Sequence, residues 1–308
     1  MHIHDDWKGL PADARGATVA MGNFDGVHLG HRSIIDTARA AVDAPLGVIL
    51  FEPHPREVFA PGAPPFRLMN AESRTNRLAR LGVEHLYQLP FGPVLAGLSP
   101  EVFAREVLVE GLGVRHVAVG EDFCFGKGRA GNAQDLQALG ERLGFGVSIA
   151  PLIGENGRFS SSAIRKALSE GRVGDASRML GHWHRIEGEV LHGHKRGREL
   201  GYPTANMSLD RLHQPAFGIY AVFVDVLTGP HQGSYKGVAS VGVRPTFGSF
   251  APNIETFIFD FEGDLYGERL SVALVEYLRP ELKFDDIAAL IAQMDEDSSR
   301  ARAILADH

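Results

Sequence analysis

The sequence has almost no cysteine and no long run of apolar residues. Cys124 is the single cysteine in 308 residues, so no disulfide bond can form within the chain, and a reducing, cytoplasmic setting is expected. No apolar run approaches the roughly 20 residues that cross a bilayer as a helix. The first residues lack the basic and apolar regions of a secretory signal. We therefore expect a cytoplasmic protein with no membrane partner.

An excess of basic charge is also missing. The chain has 31 Lys and Arg residues against 38 Asp and Glu residues, which gives a formal net charge of -7. Proteins that bind nucleic acids usually carry net positive charge, so we expect no nucleic-acid partner. A local basic pocket for a phosphorylated small molecule remains compatible with this charge. The length suits two domains, and the apolar fraction of 44% is ordinary for a globular protein.

The first half of the chain alternates predicted strands and helices. Short apolar runs predict strands at 17–21, 47–51, 84–89, 115–120 and 146–150. Helical periodicity and capping signals predict helices at 32–42, 70–81, 99–111, 135–143 and 160–170. A Pro-rich loop is predicted at 56–69. This alternation predicts a parallel sheet with helices on both faces, so ligands are expected beyond the carboxyl ends of the strands.

The pattern changes after Trp183. Alternating or β-branched runs, separated by Gly and Pro, predict strands at 186–191, 218–227, 235–241, 254–261 and 270–278. Such a series is typical of an antiparallel β-barrel or sandwich, here followed by a C-terminal helix at 284–305. The acidic run at 295–297 is interpreted as a solvated face of that helix. We therefore predict two domains, 1–183 and 184–308.

The segment MGNFDGVHLGH at 21–31 joins the first predicted strand to the first helix. Glycines let the backbone approach a ligand closely, and N–H groups at a helix N-terminus point at an anion. His28 and His31 lie one turn apart, so both can face one ligand. A helix-capping turn with two surface histidines is one alternative, and a metal site that adds Asp25 is another. We interpret the segment as a phosphate site, with candidate contacts at Gly22, Asn23, Phe24, Asp25 and Gly30.

Three further segments carry candidate chemistry. The segment EPHPR at 52–56 places His54 and Arg56 after the second strand, where both could meet anions. The segment 120–131 is Gly-rich, with basic and aromatic residues that suit a triphosphate and a ring system; a flexible surface loop is the alternative. The serines at 160–162, with Arg165, offer phosphate donors at a helix N-terminus, or they form only a helix cap.

These segments resemble the motifs of a known family. FDGVHLGH at 24–31 resembles the HxGH-type signature of nucleotidylyltransferases, and SSSAIR at 160–165 resembles their second motif. FEPHP at 51–55 and the 120–131 loop resemble the flavin-adenylating branch. GRELGYPTAN at 197–206 resembles the PTAN motif of riboflavin kinase. Shorter matches to that kinase lie at 242–247, 255–260, 264–267 and 278–284. In order and over its whole length, the chain is similar to prokaryotic bifunctional riboflavin kinase/FAD synthetases.

For the first half, the resemblance implies a Rossmann-like nucleotidylyltransferase domain. Such a domain joins FMN to ATP, forms FAD and releases pyrophosphate. His28, His31 and Arg165 are then catalytic, and Ser161 and Ser162 are further phosphate contacts. The side chains implied near the adenine or the flavin are Phe51, His54, Asp122 and Phe123.

For the second half, the resemblance implies a barrel that phosphorylates riboflavin to FMN with ATP. Thr204 and Asn206 then bind Mg²⁺, which prefers oxygen ligands. Glu255 is the general base for the ribityl hydroxyl, and Arg279 is expected to face the flavin. The remaining implied ATP or flavin contacts are Lys195, Arg196, Arg198, Gly201 and Pro203.

Two positions depart from the family pattern, and two rival functions stay open. Ser162 stands where the family usually has threonine, and Asp122 stands where some members have asparagine. One rival function is FAD synthesis alone; the other is a flavin-binding regulatory protein with an inactive kinase barrel. Intact Thr204, Asn206 and Glu255 argue against the first, and the double motif set argues against the second. We expect ATP, riboflavin and FMN as partners, and a monomer or weak homo-oligomer.

Overall fold

The computed structural model contains two compact units. It describes residues 1–154, 159–192, 201–209, 211–243 and 252–308. The first unit consists of Met1–Ala63 and Ala71–Phe159, and the second of Pro64–Asn70 and Ser160–His308. The two helices that follow Phe159 therefore group with the second unit, whereas the sequence pattern places them in the first domain. The boundary of the functional domains at 183/184 stays a prediction.

The first unit is built on the predicted parallel sheet. Its strands are β1 (His2–His4), β2 (Thr18–Met21), β3 (Leu46–Glu52), β4 (His85–Pro90), β5 (His116–Gly120), β6 (Cys124–Phe125), β7 (Gly131–Asn132) and β8 (Gly146–Ala150). Six of them form the sheet, in the order β1-β4-β3-β2-β5-β8, and all its neighbouring pairs are parallel. β6 and β7 form a separate antiparallel hairpin. β1, which no pattern predicts, adds an edge strand.

Helices connect these strands. They are α1 (Leu29–Ala41), α2 (Pro55–Phe59), α3 (Ala71–Arg80), α4 (Pro93–Ala96), α5 (Pro100–Val102) and α6 (Ala133–Leu143), with single 3₁₀ turns at Ala12–Ala14 and Lys127–Arg129. α5 continues directly as a π-helix, Phe103–Gly111. α2 replaces part of the predicted 56–69 loop, because His54 caps it and Pro55 suits the first helical position.

The strand order creates a switch point between β2 and β5. β2 leads through α1 to β3 on one side, whereas β5 and β8 lie on its other side. Ligands of open parallel sheets bind at the carboxyl ends of strands at such a point. The Thr18 hydroxyl donates to the Ala38 carbonyl at 2.7 Å and so holds α1 against β2. The turn after β2 and the loop after β5 therefore lie at the expected ligand edge.

The second unit contains helices followed by an antiparallel barrel. Its elements are α7 (Ser161–Ser169), α8 (Val173–Leu180), β9 (His184–Glu189), β10 (Thr204–Ser208), β11 (Gly218–Val226), β12 (Gly233–Val243), β13 (Pro252–Ile258) and β14 (Arg269–Arg279). The strand order is β10-β13-β12-β11-β14-β9, with every pair antiparallel. The Leu191 N–H donates to the Asn206 carbonyl at 2.8 Å. This bridge brings the two edge strands together and confirms the predicted barrel.

The C-terminal helix α9 (Ile287–Ala306) packs on the barrel, as predicted. Its buried Ala301 and Leu305 lie in one apolar cluster with Phe259 and Val275. Burial of one face of a helix against a sheet is the usual way to complete such a domain. Within the described ranges, no helix is both long and apolar enough to cross a membrane.

His184 should make the stability of the barrel depend on pH. This residue begins β9, where burial beside His182 and His213 lowers the pKa of His184 from 6.5 to about 3. The unfolded chain therefore binds a proton at this site more readily than the folded chain. The stability that His184 contributes is present above pH 6.5 and is lost as the pH falls. Between about pH 7 and pH 5, the free energy of unfolding should fall by about 2 kcal/mol through this group.

Urea unfolding of the wild type and of His184→Leu at both pH values measures this effect. The variant removes the titrating group, so its free energy of unfolding should change less with pH by about the same amount. Equal pH dependence in the two proteins would contradict the prediction.

Candidate functional site

The turn after β2 has a strained, buried backbone. Phe24 and Val27 have φ angles of 51° and 43°, in the left-handed region that residues with side chains rarely adopt. Both side chains are fully buried, and the Val27 N–H donates to the Phe24 carbonyl at 3.2 Å. Such conformations cost about 1–3 kcal/mol each and persist only where the surroundings impose them. Packing therefore holds this turn in one shape at the ligand edge.

His28 and His31 form a stacked pair at the start of α1. Their ring centroids lie 3.6 Å apart with 18° between the planes, and the Phe24 ring lies 5.0 Å from that of His31. His28 is the N-cap, and its Nδ1 accepts from the His31 backbone N–H at 3.3 Å. Because Nδ1 accepts, the neutral ring carries its proton on Nε2, which can donate to a ligand. Capping and ligand binding are therefore compatible, since they use different nitrogens.

Gly30 leaves the space that the His28 ring occupies. A Cβ atom at Gly30 would lie 3.0 Å from Cε1 and 3.1 Å from Nδ1 of His28, and 3.3 Å from the Phe159 carbonyl oxygen. A larger residue would push the ring out of its stack. The close approach of the His28 ring to Gly30 therefore explains why the HxGH-type signature has a glycine at this position.

The electrostatics of this turn favour a neutral His31. Burial lowers the pKa of His31 well below its usual value, and the neighbouring His28 lowers it further. Among the described residues, His31 Nδ1 and Asn23 Oδ1 are buried side-chain atoms without a hydrogen-bond partner. Buried polar atoms are normally paired, so both are candidates for ligand contacts. In the same turn, Asp25 is buried and Gly22 is half-buried.

The structure does not support the alternative that the turn after β2 binds a metal ion. In the part of the chain that the structure describes, no group of three or more His, Cys, Asp or Glu side chains is placed to hold a metal ion. That part includes Asp25, His28 and His31. The phosphate interpretation of this turn stays a prediction.

The end of β3 is held by structural contacts. The buried Arg74 guanidinium pairs with the Glu52 carboxylate at 2.7 Å. His54 caps α2: its Nδ1 accepts from the Arg56 N–H at 3.0 Å, and its own backbone N–H donates to Glu57 at 3.1 Å. This reciprocal pattern is a capping box, which the glutamate three residues after the cap signals in the sequence. A ligand contact through the other nitrogen of His54 stays a prediction.

The loop after β5 is packed. The Phe123 N–H donates to the Gly120 carbonyl at 3.1 Å, and the Phe123 and Phe125 rings stack with 5.8 Å between centroids. β6 and β7 then pair as a hairpin, which does not support the alternative of a flexible loop. Asp122 is exposed at the tight turn. Nucleotide or flavin contacts of Asp122 and Phe123 stay predictions.

Three phenylalanines, at positions 51, 59 and 91, form an aromatic cluster near the carboxyl ends of β3 and β4. The Phe51 and Phe91 rings lie 5.8 Å apart, and those of Phe59 and Phe91 lie 5.6 Å apart, both edge to face. Phe59 ends α2 and is 71% exposed. Of these three, the sequence analysis named only Phe51 as an ATP or flavin contact. Two features of the sequence could have indicated the other two. Phe91 directly follows the residues of β4, and Phe59 ends the short helix α2.

α7 presents the second predicted phosphate motif at a helix N-terminus. Ser160 is the N-cap, and its Oγ accepts from the backbone N–H three residues on at 3.2 Å. Ser161 is half-buried and Ser162 is exposed. Arg165 Nε donates to the Phe66 carbonyl at 2.6 Å, and its guanidinium lies 5.2 Å from the Phe66 ring centroid. Phosphate contacts of Ser161, Ser162 and Arg165 stay predictions.

β10 begins with the last three residues of the PTAN-like segment, at 204–206. Asn206 lies directly opposite Glu255 of β13, and Thr204 lies opposite Phe257. Residues two apart on a strand share a face, as do directly paired residues of antiparallel strands. Thr204, Asn206 and Glu255 therefore share one face of the sheet. The Asn253 amide donates to Glu255 Oε1 at 3.4 Å on the same strand.

Some of the implied kinase contacts lie outside the described residues. They are Lys195, Arg196, Arg198 and the segment 244–247. Gly201, two residues before Pro203, has a φ of 82°, a conformation that favours glycine. Pro203 is exposed at the entrance to β10.

Arg279 is held by an acid of α9. Its Nε lies 2.9 Å from Oδ1, and its Nη2 2.6 Å from Oδ2, of Asp297. Asp297 is 6% exposed, so the predicted solvated face is wrong at this residue. The guanidinium also lies 6.0 Å from the Phe284 ring centroid. A contact between Arg279 and the flavin stays a prediction.

Family models match the chain in two parts. One, described as FAD synthetase, matches residues 10–163, and another, described as riboflavin kinase, matches residues 180–305. The first part contains the stacked histidines, and the second contains Asn206 and Glu255. Matches to both halves do not favour the alternatives of FAD synthesis alone or of an inactive kinase barrel.

Curated relatives align over nearly the whole chain. The bifunctional riboflavin kinase/FMN adenylyltransferase of Pseudomonas fluorescens is 41% identical over 302 residues, covering 96% of both chains. The protein of the same name from Escherichia coli (strain K12) is 37% identical, covering 94% of this chain and 93% of its own. That from Bacillus subtilis (strain 168) is 36% identical, covering 98% and 96%.

A solved structure shows the same fold. The crystal structure described as a macrolide-efflux protein from Streptococcus pneumoniae has a TM-score of 0.86 at 32% identity, and 98% of each chain is covered. The family models and the curated relatives agree on two activities. The chain thus belongs to the family of bifunctional riboflavin kinases/FMN adenylyltransferases, which make FMN from riboflavin and FAD from FMN.

Proposed function

We propose that riboflavin phosphorylation takes place on the barrel face shared by β10 and β13. Glu255 accepts the proton of the ribityl hydroxyl, whose oxygen attacks the γ-phosphorus of ATP while ADP leaves. The pairing of Asn206 with Glu255 supports this proposal. In this pairing the proposed base lies next to a proposed Mg²⁺ ligand, and phosphoryl transfer depends mainly on such positioning.

Thr204 and Asn206 have the donor chemistry that Mg²⁺ requires. The Asn206 side-chain N–H donates to the Thr204 carbonyl at 3.2 Å, so its Oδ1 is turned away from that carbonyl. This oxygen and the Thr204 hydroxyl are neutral ligands of the kind that Mg²⁺ accepts together with phosphate and water. When bound, the ion neutralises charge on the ATP phosphates. Thr204 and Asn206 would hold it, which leaves Glu255 for the hydroxyl proton.

For the N-terminal domain, we propose that His28 and His31 donate N–H groups to the ATP phosphates. An FMN phosphate oxygen forms a bond to the α-phosphorus, and the bond between that phosphorus and the leaving pyrophosphate breaks. No covalent enzyme intermediate is needed. Neutral donors fixed by stacking and capping act where negative charge develops. Ser161, Ser162 and Arg165 are proposed as a second set of donors.

The aromatic cluster is proposed to contact the isoalloxazine ring of FMN. An exposed Phe59 beside Phe91 offers an apolar, planar surface near the edge where ligands bind. Phe59→Ala is expected to raise the KM for FMN about three- to tenfold in FAD formation, because one aromatic contact is lost. FMN formation from riboflavin should not change.

A matched control for Phe59→Ala is Val94→Ala. Val94 is 66% exposed on α4 and lies outside the aromatic cluster. Steady-state kinetics with varied FMN should show a normal KM in this control. A normal KM in Phe59→Ala as well would mean that the cluster does not bind the flavin.

One incubation tests the two proposed sites in the unmodified protein. Riboflavin, ATP and Mg²⁺ are added, and the flavins are separated by chromatography. We expect FMN first and FAD later, because the product of one site is the substrate of the other. FMN alone would contradict the adenylylation proposal, and unchanged riboflavin would contradict both.

A further inference from the structure

Helix α9 contacts the entrance to β10 through an acid that the kinase mechanism does not use. The Tyr202 hydroxyl donates to Asp295 Oδ1. Two residues further along α9, buried Asp297 accepts three hydrogen bonds from Arg279 of β14, two from its Nε and one from its Nη2. Gln293, one turn earlier, also donates to Asp297 at 3.3 Å. The acidic run of α9 therefore joins the helix to the barrel at two separate points.

Tyr202 is well suited to anchor the chain. It is 9% exposed, and its ring lies 4.8 Å from that of Phe257, the β13 residue opposite Thr204. Burial raises the pKa of Tyr202, and the hydrogen bond to Asp295 raises it further. The phenol therefore stays protonated near neutral pH and can donate.

The hydrogen bond between Tyr202 and Asp295 lies close to the proposed metal ligands, because Tyr202 is two residues before Thr204. Pro203 separates it from Thr204, the first residue of β10, and proline has no N–H to donate to a neighbouring strand. The strand entrance therefore has one backbone donor fewer than it would have with another residue at this position. A side-chain anchor directly before Pro203 limits how far the strand entrance can move.

We propose that Tyr202 and Asp295 are positioning residues of the kinase site, which fix the entrance of β10 and so aim Thr204 and Asn206 at the nucleotide. This inference rests on the proposed role of Thr204 and Asn206. The position of α9 is set independently, by its buried apolar residues and by the pair of Asp297 with Arg279. The helix can therefore act as a fixed support.

Three variants test the hydrogen bond itself. Tyr202→Phe keeps the ring and removes the hydroxyl, and Asp295→Ala removes the acceptor. In both, the Mg²⁺ concentration for half-maximal FMN formation should rise about three- to tenfold, the usual effect of one lost hydrogen bond. The rate at saturating Mg²⁺ should stay within about twofold, since the reacting groups remain. Asp295→Asn keeps an oxygen acceptor and should restore the wild-type value.

A readout independent of activity measures positioning directly. Hydrogen–deuterium exchange of the peptide that covers 201–209 should be faster in Tyr202→Phe and Asp295→Ala, because the strand entrance opens more often. Exchange in the first unit, and FAD formation from supplied FMN, should not change. Glu296→Ala is the matched control, since it removes an exposed acid of the same helix that accepts a hydrogen bond from Gln293.

The outcomes separate this inference from the proposed metal site. If Asn206→Ala loses FMN formation while Tyr202→Phe and Asp295→Ala keep wild-type Mg²⁺ dependence and exchange, the inference is overturned and the metal site stands. If Asn206→Ala keeps FMN formation, the metal site is wrong. An Asp295→Asn variant that behaves like Asp295→Ala would also overturn the inference, because its acceptor is retained.

Discussion

Glu255→Gln is expected to lower the rate of FMN formation about 100- to 10,000-fold, the range associated with loss of a general base. Glutamine keeps the shape of the side chain and can still accept the Asn253 hydrogen bond. It cannot take the ribityl proton. Asn206→Ala is expected to abolish FMN formation as well, because it removes the proposed oxygen ligand opposite Glu255.

Both variants are measured with two substrates. With riboflavin, FMN formation should be lost; with FMN supplied, FAD formation should continue at the wild-type rate. Glu276→Gln is the control, since Glu276 is an exposed glutamate of the same barrel on β14. If Glu255→Gln or Asn206→Ala lost both activities while still folded, the proposal of two separate sites would be wrong.

The second large effect is expected from the stacked histidines. His28→Ala and His31→Ala should each reduce FAD formation from supplied FMN about 100- to 1,000-fold, which is typical for loss of one fixed donor to developing charge. His28→Ala also removes the N-cap of α1. Such caps contribute about 1 kcal/mol of stability, so its thermal midpoint should fall slightly while the second unit remains folded.

FMN formation from riboflavin provides the internal control for both histidine variants and should not change. His2→Ala is the matched substitution, because His2 is an exposed histidine on the edge strand β1. Pyrophosphate release is measured beside FAD to confirm the step affected. Unchanged adenylylation in both variants would show that the phosphates are bound elsewhere.

Local signals predicted several elements well. A capping serine followed by proline predicted the helix that begins at Pro100, and asparagine at 132 with aspartate at 135 forms the capping box of α6. Elements that depend on distant partners were missed. β10 directly follows Pro203 and contains Asn206, and both residue types are unfavourable for strands. It forms because β13 supplies the pairing.

The acidic run of α9 is a second case in which a distant partner decides the structure. Three successive acids read as a solvated face, which is the usual place for carboxylates. Asp297 is nonetheless buried, because Arg279 supplies a bidentate partner that compensates its charge. Nothing near either residue in the sequence indicates this pairing.

The types and the order of the motifs were sufficient to identify both activities. Each motif is a short segment in which residue type and spacing already carry the chemistry, such as two histidines around a glycine. Only the tertiary structure decided which of these groups meet. Asn206 faces Glu255, Arg165 is held by Phe66, and Tyr202 by Asp295. These contacts join residues far apart along the chain, so they follow from strand register and helix docking, which no local pattern specifies.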